Sequence, residues 1–217
     1  KSLKKSPTHK LRLLPHFKPE RYKISLKPDL EGASFEGEEI LEFELSKAEN
    51  KIILHADELV VKNAEVEVNG GSFKSKKITY DKKSETVTLL FKNKLPKGKG
   101  KLHISFKGVL NDKMRGFYRS RYKIGDEEHS MATTQFEPTH ARQAFPCVDE
   151  PAVKAIFDIT LIVPKGHTAI SNTISSISPA ASCFRFSLSA PSCSSVGSRM
   201  TNSGCSSAAG ARRCPRS

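Results

Sequence analysis

The stretch from residue 86 to residue 106, TVTLLFKNKLPKGKGKLHISF, decides the fold class. Two short runs rich in β-branched, aromatic and leucine residues, 86–91 and 102–106, lie on either side of a turn at Leu95-Pro96-Lys97-Gly98. Apolar and polar residues alternate along the second run, which is the period of a half-buried β-strand. Two such runs joined through a Pro and Gly turn predict an antiparallel pair of strands.

The same pattern of short apolar runs separated by turn residues continues in both directions along the chain. Further strand-like runs occur at 22–26, 40–45, 60–68 and 156–163. Turn signals lie between them at 27–29, 69–71 and 81–83. Many short strands at this spacing, with no long helical period, predict a mostly β domain. We expect an antiparallel, saddle-like β-sandwich in which one face of each sheet meets solvent.

The composition divides the chain into three parts. Residues 1–14 form a basic tail without a clear period, and residues 15–171 form the predicted β domain. Residues 172–217 contain no Lys, Asp or Glu and are rich in Ser, Ala, Cys and Arg. Such a composition does not build a core. This segment is therefore interpreted either as a disordered tail or as an aberrant, out-of-frame extension.

The charge distribution argues against a nucleic-acid partner. The formal net charge is +13, of which residues 1–23 carry +7 and residues 172–217 carry +5, so that residues 24–171 carry +1. Basic clustering is thus expected only at the two ends. No apolar run is long enough to span a membrane, so no membrane partner is expected. Cys147 is the one cysteine before residue 172, which favours a reducing, cytoplasmic location.

A polar loop between two strands carries the strongest motif. It reads TQFEPTHARQAFPCVDEP over residues 134–151 and continues as AVKAIF to residue 157. Here the chain resembles the aminopeptidase N family of zinc peptidases, which share T-Q-x-E-x-x-x-A-R-x-x-F-P-C-x-D-E-P-x-x-K-A-x-F. MRGFYRSRY at 114–122 and the opening segment 14–26 resemble two further family patterns. The resemblance covers about residues 14–172 and implies the N-terminal domain of such an enzyme, truncated before the catalytic domain.

The resemblance implies a substrate-binding role for two residues of this loop. Glu137 corresponds to the glutamate that holds the free α-amine of the peptide, and Gln135 to the glutamine that lines the pocket of the first side chain. A partly desolvated carboxylate selects an ammonium by a charge-assisted hydrogen bond. The expected function is therefore to help remove N-terminal amino acids from peptides that have a free N-terminus.

Four other residues of the loop have a structural interpretation. We expect Arg142 to pair with an acid across the loop. Asp149 and Glu150 are expected to cap the turn that leads into 152–155. Cys147 follows a proline in an apolar setting, so it is expected to be a buried small hydrophobe rather than a nucleophile.

The zinc motif that the family uses does not occur in this sequence. None of the seven histidines is followed by Glu, and no two lie four residues apart, so H-E-x-x-H is missing. We therefore expect zinc in the full-length enzyme, but no metal ligand, no catalytic residue and no activity in this chain alone. Two alternatives stay open: a non-catalytic scaffold of the same fold, and a β-sandwich interaction module. The oligomeric state cannot be inferred from the sequence.

Overall fold

The computed structural model describes residue 13, residues 15–164 and residues 166–171 in full, and the backbone of 175–178 and 183–188. Residues 1–12 of the predicted basic tail, and the tail predicted from residue 172 except for those two backbone segments, lie outside the described residues. Nearly all of the regular secondary structure in the described chain is β-strand, and the strands follow the runs in which apolar and polar residues alternate.

Twelve strands and one short 3-10 helix make up the described elements. They are β1 (Phe17–Asp29), β2 (Ser34–Leu45), β3 (Glu49–His55), β4 (Val60–Val68), β5 (Gly71–Asp81), β6 (Thr86–Leu95), β7 (Gly98–Val109), β8 (Gly116–Ile124), β9 (Glu127–Gln135), the 3-10 helix (Ala141–Gln143), β10 (Ile156–Ile162), β11 (Ser175–Ser178) and β12 (Cys183–Leu188). No helix within these described parts is long and apolar enough to cross a membrane.

Ten of the strands form one sheet, and β8 and β9 form a separate hairpin. The order across the large sheet is β11-β12-β10-β1-β2-β7-β4-β5-β6-β3. The mostly β, antiparallel prediction is confirmed, apart from β10, which runs parallel to β1. Strands β2 to β9 and the long loop after β9 lie between β1 and β10 along the chain. A connection of this length allows a parallel pairing that a short hairpin turn does not.

The large sheet curls because β5 belongs to two parts of it. The first half of β5 pairs with β4 and the second half with β6, and the register shifts at a bulge between Ser75 and Lys77. A bulge of this kind bends the strand and increases its twist. The curled sheet encloses one continuous hydrophobic core, whose fully buried members include Phe35, Phe43 and Leu89. Burial of each such side chain stabilises the fold by about 1.5–3 kcal/mol.

The β8–β9 hairpin is attached to the core at its base. Phe117 of β8 is buried and its ring contacts Phe35 edge-on, with 5.0 Å between the centroids. Gly116 has a left-handed φ of +69° and lies directly against the side chain of Gln143, so a larger residue would collide there. This contact joins the hairpin to the loop that follows β9.

Candidate functional site

The loop after β9 begins as a tight turn at the edge of the core. Gln135 is the last residue of β9 and is paired in register with Gly116. The ring of Phe136 contacts Phe145 edge-on, and the backbone N–H of His140 donates to the carbonyl of Phe136 at 2.8 Å. The turn closed in this way contains Glu137 and a cis peptide bond between Glu137 and Pro138. Both ends of the turn are thus anchored, and Glu137 lies between them.

A cleft of about 310 Å³ lies beside this turn. Its apolar wall includes Phe145, Val153 and Phe157, and the carboxylates at its rim are those of Glu137, Asp149 and Glu150. Gln135 is exposed and does not line this cleft, so the structure places only Glu137 of the two predicted residues on its wall. A larger cavity of about 530 Å³ lies on another part of the sheet and includes no residue of the loop.

The three carboxylates at the rim differ in how they are engaged. Asp149 accepts a hydrogen bond from Arg142, and Glu150 accepts one from the backbone N–H of Leu13 at 2.8 Å. Glu137 is exposed, and its carboxylate has no hydrogen bond or ion pair with any residue in the described part of the chain. An unengaged carboxylate beside an apolar wall is suited to binding a cation that arrives with an apolar group.

Arg142 anchors the inner part of the loop, as the sequence predicts. Its Nε donates to Asp149 Oδ2 at 3.0 Å, and its Nη1 donates to Glu85 Oε2 at 2.9 Å. The Arg142 side chain is only 11% exposed. Its ion pair with Asp149 is therefore largely shielded from water, while the Glu85 carboxylate is partly exposed. Glu85 lies in the turn between β5 and β6, far from the motif in sequence, and its backbone has a left-handed φ of 52°. The guanidinium therefore ties the loop to a second element of the fold.

Main-chain and side-chain bonds fasten the same loop to the end of β3. His55 and Cys147 exchange two backbone hydrogen bonds, of 2.7 and 3.0 Å. Gln143 Nε2 donates to Asp57 Oδ2 at 2.7 Å, and the N–H of Asp57 donates to the carbonyl of Arg142. The loop thus behaves as an extension of the sheet rather than as a free connection.

His55 is a structural residue of this site that sequence reasoning missed. Its Nδ1 accepts the backbone N–H of Asp149 at 3.1 Å. Burial, followed by the nearby Arg142 charge, lowers the pKa of His55, so that the ring stays neutral and keeps the lone pair that this bond needs. Its position at the end of the apolar run 52–54 is a weak signal, because nothing local shows that a loop ninety residues later contacts it.

Glu150 differs from its predicted role as a side-chain cap. The turn after it is closed by the backbone, since the N–H of Val153 donates to the carbonyl of Glu150 at 2.9 Å. The Glu150 carboxylate accepts instead from Leu13, a residue just before β1. The sequence could not show this contact because the two residues are 137 positions apart.

Three ionisable side chains are buried beneath the loop. The Tyr22 hydroxyl accepts the N–H of Val148 at 3.1 Å, and its ring stacks on Phe157. Cys147 is buried, as predicted, and burial raises the pKa of its thiol well above the usual value. Glu39 is 1% exposed, and neither carboxyl oxygen has a partner among the described residues. Burial raises the pKa of Glu39 well above its usual value, because the charged form is poorly solvated there.

Within the described ranges, no group of three or more His, Cys, Asp and Glu side chains is arranged to hold a metal ion. The exposed carboxylate of Glu137 is the unengaged charged group at the rim of the cleft among the residues described.

Fold and site together define a mostly β domain in which the loop between β9 and β10 is fastened to the sheet and carries an exposed carboxylate. The family model of the Peptidase M1 N-terminal domain matches residues 18–186 of this chain. The chain belongs to this family, which confirms the relationship that the loop motif indicates.

The relatives include aminopeptidases from plants, yeasts and a nematode. The chain is 43% identical over 158 residues to aminopeptidase M1-A of Oryza sativa subsp. japonica, covering 71% of this chain and 18% of that protein. It is 43% identical over 164 residues to aminopeptidase M1 of Arabidopsis thaliana, covering 73% and 19%. It is 40% identical over 166 residues to puromycin-sensitive aminopeptidase of Caenorhabditis elegans, covering 75% and 18%. The chain therefore spans less than a fifth of the length of these relatives.

Proposed function

We propose that this chain is the substrate-binding N-terminal part of a zinc-dependent aminopeptidase, in which Glu137 holds the α-ammonium group of the peptide. The observation that carries the proposal is the exposed, unengaged carboxylate of Glu137 on the wall of the cleft. Gln135, two residues earlier at the end of β9, would approach the first residue of the peptide from the hairpin side. The names of the relatives support the same activity.

The geometry favours a free N-terminus over an acetylated or internal one. An ammonium group pairs with Glu137 through a charge-assisted hydrogen bond, while the adjacent apolar wall shields that pair from water. A neutral amide at the same place would leave the carboxylate without a cation and without its water shell, which costs free energy. The substrates proposed are therefore peptides with a free α-amine.

Hydrolysis itself would require residues that the described part of this chain does not supply. The arrangement of its His, Cys, Asp and Glu side chains does not fit a zinc site. In the proposal, zinc belongs to the remainder of a full-length protein and supplies the activated water there. The present chain alone would bind the amine end of a peptide without cleaving it, in a cytoplasmic setting.

The test compares single variants in a full-length protein that carries this domain. Glu137→Ala is expected to raise KM and to lower kcat/KM for an aminoacyl amide by one to three decades, or about 1.4–4 kcal/mol. Glu137→Gln keeps the shape but loses the charge, and is expected to have a similar effect. Glu127→Ala, a matched carboxylate at the exposed tip of the hairpin, should leave kcat/KM unchanged.

An unchanged kcat/KM in both Glu137 variants would overturn the assignment. That result would favour the view of the domain as a scaffold, in which no ammonium is bound. Zinc content should be measured in the same preparations, because a lost metal would lower activity for a different reason.

A further inference from the structure

One surface of the curled sheet carries a group of exposed lysines. Six exposed lysines on three adjacent strands form this surface, here called the lysine face: Lys51, Lys74, Lys76, Lys77, Lys92 and Lys94. None of them has an ion pair with a residue that the structure describes. Elsewhere on the same sheet, by contrast, Lys23 of β1 pairs with Glu42 and Lys99 of β7 with Glu20.

The register of the strands places these charges close together. Lys51 of β3 and Lys77 of β5 both lie opposite Leu90 of β6, one on each side of it. Strands are about 4.8 Å apart, so these two Cα atoms are roughly 10 Å apart, near the screening length of physiological salt. Lys92 follows two residues after Leu90 and so points to the same face. The lysines repel one another, and an anionic partner would relieve that repulsion.

The lysine face borders an open sheet edge. Strand β3 is the last in the sheet order, and its pairing on the outer side is a single bridge, between His55 and Cys147, among the residues described. Both backbone groups of His55 are used in that bridge, so they point away from β6. Since backbone direction alternates along a strand, the N–H and C=O groups of Ile53 and Lys51 point outward as well. This edge could accept another strand.

We propose that the lysine face and the open edge of β3 together bind an extended, acidic segment of another polypeptide. The segment would add to β3 through main-chain hydrogen bonds, in the manner of β-augmentation. Every second side chain of the added strand would lie over the lysine face, so acidic residues at alternate positions complement it.

Other anionic partners fit these features less well. A single-stranded nucleic acid is bound with the help of stacked aromatic rings. Tyr80 is the exposed aromatic residue of these three strands, and its hydroxyl is engaged by the N–H of Val61. An anionic membrane would interact with the lysines, but it offers no main-chain groups to the edge of β3. The open edge therefore favours a polypeptide.

The binding test uses a labelled decapeptide of five Glu-Thr repeats, acetylated at its N-terminus and amidated at its C-terminus. Fluorescence anisotropy with the full chain should show binding that weakens as salt is added. Lys51→Glu combined with Lys77→Glu should weaken binding roughly tenfold, because two attractive charges become repulsive. A matched pair on strands β1 and β7 of the same sheet, Lys18→Glu with Lys101→Glu, makes the same change in net charge and should have little effect.

A second peptide tests the open edge without altering the protein. Five Glu-Pro repeats carry the same charge, but every second residue lacks an N–H and cannot add to a strand. This peptide should bind roughly tenfold more weakly than the Glu-Thr peptide, because only the charge attraction remains.

Three outcomes would overturn the proposal: no salt-dependent binding, equal effects of the two lysine pairs, or equal affinity for the two peptides. Tighter binding of a single-stranded oligothymidylate, or of vesicles containing phosphatidylserine, would also overturn it by identifying another class of partner. The acetylated peptide has no α-amine, so Glu137→Gln should leave its binding unchanged. The result is thereby independent of the aminopeptidase proposal.

Discussion

The loop after β9 has two halves of opposite character. In the outer half, residues 136–140, Glu137 is exposed and its carboxylate has no partner in the described structure. In the inner half, residues 141–150, Arg142 is buried and bonded to two acids, while Gln143 and Cys147 are tied to β3 and the turn after it. The inner half is bonded to the rest of the fold, whereas the outer half presents an unengaged carboxylate.

This contrast predicts which substitutions lower the stability of the fold and which leave it unchanged. A group that is buried and paired cannot be removed without leaving its partners desolvated, which is costly. A group that is exposed and unpaired can be changed at little cost to the fold. Loss of stability should therefore mark the inner half, and loss of binding should mark the outer half.

The largest effect is expected at Arg142. Arg142→Ala leaves the carboxylates of Asp149 and Glu85 without their cation and should lower the free energy of unfolding by about 3–5 kcal/mol. Urea unfolding followed by circular dichroism would measure this. Lys154→Ala, an exposed cation just beyond the loop, is the matched control and should stay within about 0.5 kcal/mol of the wild type. Equal effects of the two variants would remove the contrast between the halves.

The next effect concerns Glu39, a buried carboxyl without a partner. Burial raises the pKa of Glu39 in the folded chain. As pH rises above about 4.3, Glu39 therefore loses its proton in the unfolded chain first, while the folded chain still holds it. Stability then falls as pH rises through this range, with a slope of up to about 1.4 kcal/mol per pH unit. Glu39→Gln cannot ionise and should be more stable than the wild type at pH 7.

Urea unfolding between pH 4 and pH 8 would measure this slope. Glu38→Gln, an exposed neighbour on the same strand, should retain the pH dependence of the wild type. Tyr22 and Cys147 lie near Glu39, but burial raises both of their pKa values, so neither contributes a charge in this range. Parallel curves for Glu39→Gln and the wild type would contradict the prediction.

A smaller effect of opposite sign is expected at His55. Its folded pKa is lowered, so the unfolded chain takes up a proton first as pH falls below about 6.5. Stability is therefore lost toward acid pH, with a slope of at most about 1.4 kcal/mol per pH unit. His55→Asn retains an acceptor for the Asp149 N–H and should show a weaker acid dependence. His129→Asn, on the exposed hairpin, should behave as the wild type does.

The smallest effect on stability is expected at Glu137. Glu137→Gln should change the free energy of unfolding by less than about 0.5 kcal/mol, because the carboxylate is exposed and unpaired. Thermal unfolding of this chain would measure it. A large loss of stability would mean that Glu137 supports the fold, and the loss of activity proposed for its variants could then not be assigned to amine binding.

Much of the fold and part of the site could be predicted from sequence. The period of two predicts the strands, and the loop pattern 134–157 predicts the family and the pairing of Arg142. Leu41, Phe43 and Leu45 alternate along β2, and the same alternation places Glu39 on the core face. The sequence does not reveal this, because a glutamate is normally expected on the solvent-exposed face. It also does not bring His55 or Glu85 to the loop, since both lie far away along the chain.

The strand content, the polar loop and the choice of Glu137 as the candidate binding carboxylate follow from the sequence alone. They depend on local alternation and on a contiguous motif. Three features are visible only in the tertiary structure: β10 lies parallel to β1, His55 and Glu85 support the loop, and lysines from β3, β5 and β6 form one face. The physical reason is that burial and charge pairing depend on which strands lie side by side. That order is set by the curl of the whole sheet around its core, and no single stretch of the chain contains it.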